Sequence, residues 1–152
     1  MAQAGPVEAA PGLQVIVLDT NVLSELMRPA PSDAVVAWYG RQAAWDLFTT
    51  TITESEILTG LALLPRGKRR TALEAAAQDI FEELGDHVLP FDSGAARAFA
   101  EIEVERQRAG RPISRADAEI AAIARSLGAG LATRNRDDFT GCGVVLVDPW
   151  SA

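Results

Sequence analysis

Short apolar runs alternate with longer stretches of helical periodicity along the chain. Val15–Leu18 is an unbroken aliphatic run, as expected of a strand buried on both faces. Phe48–Ile52, rich in β-branched residues, together with Val88–Phe91, Gly130–Thr133 and Val144–Val147 completes a set of five candidate strands. Between them lie helical segments. Asp33–Arg41 follows Pro31-Ser32, a helix-start signal, and Glu54–Leu64 stops before Pro65. Arg69–Leu84 carries Leu73, Ala76, Ala77, Ile80, Phe81 and Leu84 on one stripe. Ser93–Ala109 ends at Gly110, and Arg115–Leu127 ends at Gly128 in the pattern of a C-cap. Strands alternating with helices imply an α/β domain whose parallel sheet is covered on both faces.

Composition narrows the class. With 152 residues, 48% of them hydrophobic and 23% charged, the chain suits a single domain with a real core. Residues 1–14 are rich in Ala, Pro and Gly and lack the basic and apolar regions of a signal peptide, so the expectation is a flexible tail followed by a domain over 15–150. No apolar run reaches the roughly 18 residues that span a bilayer, and the one cysteine, Cys142, permits no internal disulfide. A cytoplasmic protein without membrane contact is expected. Cys142 reads as a small apolar residue in a glycine-flanked turn.

The net charge of −7 argues against direct nucleic-acid binding, because phosphates require cations. Acids that first bind a metal reverse that logic. Two cationic groups, Arg66, Lys68, Arg69 and Arg70, and Arg106, Arg108, Arg111 and Arg115, read equally as solvated helix ends or as an RNA path.

In an open parallel sheet, ligands bind beyond the carboxyl ends of the strands, where strand order reverses. Acids cluster there. Asp19 directly follows Val15–Leu18, Glu56 lies four residues after Ile52, Asp117 opens a helix, and Asn135, Asp137 and Asp138 follow the Leu131–Thr133 strand. Each alone reads as helix capping: Thr53-x-x-Glu56 and Ser114-x-x-Asp117 match capping boxes. Together they point to a shared hard cation, since converging carboxylates repel one another unless one neutralises them. Mg²⁺ in such a cluster activates water against a phosphodiester. Helical spacing separates neighbours. Glu54 and Glu56 point about 200° apart; Glu56 shares its face with Gly60 and is taken as the site acid. Asp117 is expected to face inward and Glu119 water.

Four segments then resemble a known family. Val17-Leu18-Asp19-Thr20-Asn21-Val22-Leu23-Ser24-Glu25 resembles the opening motif of PIN-domain ribonucleases, and Ile52-Thr53-Glu54-Ser55-Glu56-Ile57-Leu58-Thr59-Gly60 their second. Ala116-Asp117-Ala118-Glu119-Ile120-Ala121-Ala122 resembles the third. Ala132-Thr133-Arg134-Asn135-Arg136-Asp137-Asp138-Phe139 with Val147-Asp148-Pro149-Trp150 resembles the closing segment of the VapC toxins, FitB-like branch. The resemblance spans residues 15–150 and implies a three-layer α/β/α PIN-like domain with a parallel sheet of four to five strands. It implies a Mg²⁺-dependent endoribonuclease, with Mn²⁺ as a substitute, acting as the toxin of a type II toxin–antitoxin system. It also implies a cognate antitoxin, a small DNA-binding VapB- or FitA-like protein, and a homodimer or a dimer of dimers in the complex. By position, Asp19, Glu56 and Asp117 are the metal-binding acids. Thr20, Asn21, Thr133 and Asn135 line the substrate site. Asn135 stands where many relatives carry Asp, and Asp138 is the candidate for that missing charge.

Other readings fit less well. A phospho-receiver domain needs a lysine after a late strand, and the only lysine is Lys68. A haloacid-dehalogenase-like phosphatase needs a second Asp where Asn21 stands. A catalytically silent PIN-fold module that binds RNA or protein is the alternative, kept open by Asn135. Trp38, Tyr39, Trp45 and Leu61–Leu64 exceed what the early helices need, and read either as an antitoxin groove or as ordinary core.

Overall fold

The computed structural model describes residues 15–152; the tail expected at residues 1–14 lies outside the described residues. Five strands, β1 (Ile16–Leu18), β2 (Leu47–Thr50), β3 (Val88–Leu89), β4 (Gly130–Ala132) and β5 (Leu146–Val147), form one parallel sheet in the order β3-β2-β1-β4-β5. β1 is central, with Val17 registered against Phe48 on one side and Leu131 on the other. The helices are α1 (Thr20–Leu26), α2 (Asp33–Arg41), α3 (Thr51–Leu63), α4 (Lys68–Leu84), α5 (Ser93–Arg108), α6 (Arg115–Ser126) and α7 (Arg136–Phe139).

The side-chain alternation of β1 builds the three layers. Val17 joins Ala95, Ala98 and Ile102 of α5 and Ile120 and Ile123 of α6 in one core. Ile16 and Leu18 point the other way, into Val22 and Leu23 of α1, Val35 of α2, Ile57 and Leu61 of α3 and Ala77 of α4. Trp38 and Leu61 are buried there, so ordinary core packing accounts for these two. Trp45 (73% exposed) and Leu63 (80%) are the exposed members of the suspected partner surface.

The structure shortens the expected strands and revises one charged residue. The strand expected at Phe48–Ile52 ends at Thr50, whose hydroxyl accepts the Thr53 N–H at 3.1 Å and caps α3. Local capping overrides the β-propensity of Thr51 and Ile52. Thr53 therefore lies within the first turn and is not itself the cap. Arg106 is also no solvated helix end. It is buried, donating from Nε to the Arg111 carbonyl (2.6 Å) and from Nη1 to the carbonyls of Asp138 (3.0 Å) and Thr140 (2.8 Å).

Cys142 is fully buried between Gly141 and Gly143, both at positive φ. Gly143 sits at φ +76°, and a Cβ there would lie 3.1 Å from Arg125 Nε, whose guanidinium is held by Glu101 and Glu105. Gly143→Ala is expected to cost about 1–2 kcal/mol, read as a lower urea midpoint at unchanged m-value.

Chain order places the crevice. From β1 the chain builds outward through β2 and β3, then crosses back to lay β4 and β5 on the other side. Order reverses between β1 and β4, so the carboxyl ends of these strands flank the switch point of the sheet.

Candidate active site

Asp19 leaves the end of β1 in extended conformation and caps α1. Its Oδ1 accepts the Thr20 N–H at 2.8 Å. Its Oδ2 accepts the Thr133 hydroxyl at 2.8 Å and the Asn21 amide at 3.2 Å. The carboxylate is thus fixed by donors from both strands beside the switch point. Its residue is only 4% exposed, and burial pushes the carboxyl up to about 6, against those hydrogen bonds and with added repulsion from Asp117 and Glu56.

Thr133, fully buried at the end of β4, is the hub of this bracket. Besides donating to Asp19, its Oγ1 accepts the Asn135 N–H at 3.1 Å and lies 3.3 Å from the Asn21 amide. Asn21 reaches across as well, its Oδ1 accepting the Arg134 N–H at 3.3 Å. These side-chain bonds stitch the loop after β1 to the loop after β4, beside a backbone bond from the Asp19 N–H to the Ala132 carbonyl at 2.9 Å.

Glu56 arrives from α3. Thr20 Oγ1 donates to Glu56 Oε1 at 2.6 Å and lies 3.0 Å from Thr53 Oγ1. A hydroxyl has one proton, so with Thr20 donating to Glu56, Thr53 donates to Thr20. The relay from buried Thr53 aims Glu56 at the groove. Thr53 is the residue that reasoning from sequence missed, because it was read as a cap. Thr20→Val would cut the relay while keeping side-chain volume. Activity is expected to fall about 10- to 100-fold, as for other groups that orient a site carboxylate, with melting temperature little changed.

Asp117 enters from the opposite layer, in the first turn of α6, its N–H donating to the Ser114 hydroxyl at 3.2 Å. Burial raises its pKa against that Ser114 contact, and the charges of Asp138 and Glu56 raise it further, while Arg106 opposes them. Asp138 is exposed on α7, held near Asp117 by the Arg106 bond to its carbonyl. Asn135 stands at the start of α7, exposed and with no side-chain cap bond. Glu119 does not face water freely as expected: its side chain is 19% exposed and pairs with Arg115 at 3.3 Å. His87 is structural, its ring stacked on Phe48 at 4.0 Å and its Nδ1 2.8 Å from the Leu47 carbonyl oxygen.

Asp19, Glu56 and Asp117 therefore stand within one another's field, drawn from three elements. Among the described residues, no three His, Cys, Asp or Glu side chains form a ready-made metal cage. The donor set still fits a hard cation, being carboxylate oxygen with threonine and asparagine oxygens beside it and no sulfur or imidazole. Burial is the main cause that pushes both carboxyls upward, and acidic neighbours add to it, Asp117 and Glu56 on Asp19, Asp138 and Glu56 on Asp117, a surplus of negative charge that a cation would offset. An ion that keeps most of its own waters, as Mg²⁺ does, suits such an open cluster better than one that needs a full protein cage.

A cluster of carboxylates at the switch point of a five-stranded parallel α/β sheet defines the class: an α/β domain with an acidic crevice of the kind nuclease-like domains carry. The chain belongs to the PIN domain family, whose model matches residues 16–141. It is 39% identical over 137 residues to VapC ribonuclease Y4jK of Sinorhizobium fredii, covering 90% of this chain and 98% of that protein. It is 37% identical over 137 residues to toxin FitB of Neisseria gonorrhoeae, covering 90% and 99% respectively. The solved structure of FitAcB from the same organism superposes with a TM-score of 0.84 at 37% identity, over 91% of this chain and 100% of that one.

Proposed function

We propose that this chain is the toxin component of a type II toxin–antitoxin pair, an endoribonuclease that hydrolyses RNA phosphodiester bonds with Mg²⁺, or Mn²⁺ in its place. The observation that carries the reading is the convergence at the switch point: Asp19 bracketed by Thr133, Asn21 and the Thr20 N–H, Glu56 held beside it by Thr20, and Asp117 near enough to add repulsion on Asp19. Relatives at 37–39% identity carry the names VapC ribonuclease and toxin FitB.

Asp19, Glu56 and Asp117 would hold the ion. Bound there, it supplies Lewis acidity that offsets charge on the phosphate and makes water a better nucleophile. The chain's residues do the positioning. Thr133, Asn21 and the Thr20 N–H lock Asp19, while Thr53 and Thr20 aim Glu56. Asp138 adds negative charge beside Asp117, where Asn135 supplies an amide instead of an acid. In the reaction the water oxygen bonds to phosphorus, the bond to the leaving oxygen breaks, and that oxygen gains a proton. No helix among the described residues is long and apolar enough to cross a membrane.

The partner follows from relatives. A FitAB complex bound to DNA superposes with a TM-score of 0.83 at 37% identity. We infer a cognate antitoxin of the VapB or FitA kind, encoded beside this chain, and homodimers that pair in the complex. Co-expression with the adjacent reading frame tests this, and failure to co-purify would count against it. The activity test is incubation of single-stranded RNA with Mg²⁺ or Mn²⁺ and with EDTA. Cleavage only with metal is expected. No cleavage under any of these conditions would leave a silent PIN-fold binding module as the surviving reading.

A further inference from the structure

The groove of about 410 Å³ beside the carboxylates has two unlike walls. Thr20, Asn21 and Glu56 line one side; Glu25, Arg28, Arg69, Arg134 and Trp150 line the other, and of these only Arg69, as part of a possible RNA path, and Arg134 and Trp150, as motif residues, figure in the sequence reading. Arg28 is engaged by Glu25 at 3.1 Å. Arg134 has no carboxylate within ion-pairing distance among the described residues. Its guanidinium instead lies 4.9 Å from the centroid of the Trp150 indole. The backbone of each is tied: the Arg134 N–H to Asn21 Oδ1 at 3.3 Å, and the Trp150 N–H to Asp148 Oδ1 at 2.9 Å. Trp150 is half-buried and packs on the core beneath α1–α4, so the ring is a fixed platform.

An arginine held on an aromatic face keeps its N–H donors free and has already lost side-chain freedom. It is built to grip two oxygens of an oxyanion at once, and the oxyanion a nuclease groove meets is phosphate. The ring and guanidinium together offer a π-surface beside that phosphate. Bases stack on such surfaces only when they are not already stacked in a duplex. The backbone bond to Asn21 ties this surface to the Asp19 bracket, and both line the groove that holds Glu56.

We propose that Arg134 and Trp150 form a nucleotide clamp that binds one phosphate and its base in single-stranded RNA, next to the phosphodiester to be cut. The inference rests on the ribonuclease reading of the same site and adds the form of its substrate. It also eases the contradiction between a chain of net charge −7 and a polyanionic ligand, since the charge that matters is local: Arg134 lies in the field of Glu25, which Arg28 already engages, but makes no direct ion pair among the described residues.

The test is binding of a labelled single-stranded oligoribonucleotide in EDTA across a salt series, with steady-state cleavage in Mg²⁺ alongside. Arg134→Ala should weaken binding about tenfold and flatten the log–log salt slope by about 0.7, the single-strand increment for one phosphate. Trp150→Ala should weaken binding by roughly 5- to 100-fold without altering that slope, and Trp150→Phe should restore most of it. Arg134→Ala should raise KM more than it lowers kcat. The same sequence annealed into a duplex should bind more weakly. Equal affinity and slope for wild type and Arg134→Ala, in a protein that cleaves RNA, would overturn the clamp and leave the ribonuclease standing. Equal binding of duplex and single strand would overturn it too. If Arg134→Ala loses the adjacent-frame protein on co-purification while its RNA affinity is unchanged, that wall belongs to the partner and the clamp is wrong. If wild type neither binds nor cleaves, the function itself falls.

Discussion

Asp19→Asn is expected to lower RNA cleavage by about a hundredfold or more and to leave the fold intact. Groups that merely orient a metal ligand are worth about 10- to 100-fold, and a ligand itself should exceed them. Asp19 is the most constrained acid of the cluster, fixed by Thr133, Asn21 and the Thr20 N–H. The amide keeps the size of the side chain and one oxygen but removes the charge that attracts a cation. One carboxylate fewer also relieves the repulsion that Asp117 and Glu56 exert on this position. Loss of function should therefore not be loss of structure, a separation that circular dichroism beside a gel-based cleavage assay resolves. Cleavage by the variant at the wild-type rate would remove Asp19 from the chemistry and leave capping of α1 as its role.

How much of this was legible before the structure depends on the range of each interaction. The parallel sheet and its covering helices were, because a run such as Val15–Leu18 or a stripe such as Leu73 to Leu84 records burial within a few residues. The acids at strand ends were legible for the same reason: Asp19 is adjacent to its strand and Asp117 to its helix start. Boundaries were harder. The capping-box pattern points to Thr53, and only the structure shows that Thr50 closes the strand and caps α3 while Thr53 turns inward to the relay. What sequence could not display is contact between distant segments. Arg106 looked like a solvated helix end because its three carbonyl acceptors belong to loops up to 34 positions away. The pairing of Arg134 with Trp150 joins two pieces of the closing segment, each of which read merely as motif.

In EDTA, the wild-type protein should gain stability relative to Asp19→Asn as pH falls from 7.5 to 5. The sign follows from linkage. The Asp19 carboxyl is raised, chiefly by burial, from its ordinary 3.8 to about 6 in the folded protein, so the folded state binds its proton more readily than the unfolded chain does. Stability from this group is complete below the lower value and lost as pH rises through the upper one. The full span corresponds to about 3 kcal/mol, of which about 1 kcal/mol falls between pH 7.5 and 5. Comparison with the amide variant isolates the effect, because Glu25 responds in the opposite direction: its carboxyl is lowered by the Ser32 N–H and Arg28 and titrates alike in both proteins. Mg²⁺ at pH 7.5 should then stabilise wild type more than Asp19→Asn, since the ion neutralises what the proton neutralises at lower pH. Urea midpoints at the two pH values, with and without Mg²⁺, measure all of this. Parallel pH dependences for the two proteins would mean that Asp19 carries no excess repulsion, and the case for a cation at this site would lose its electrostatic footing.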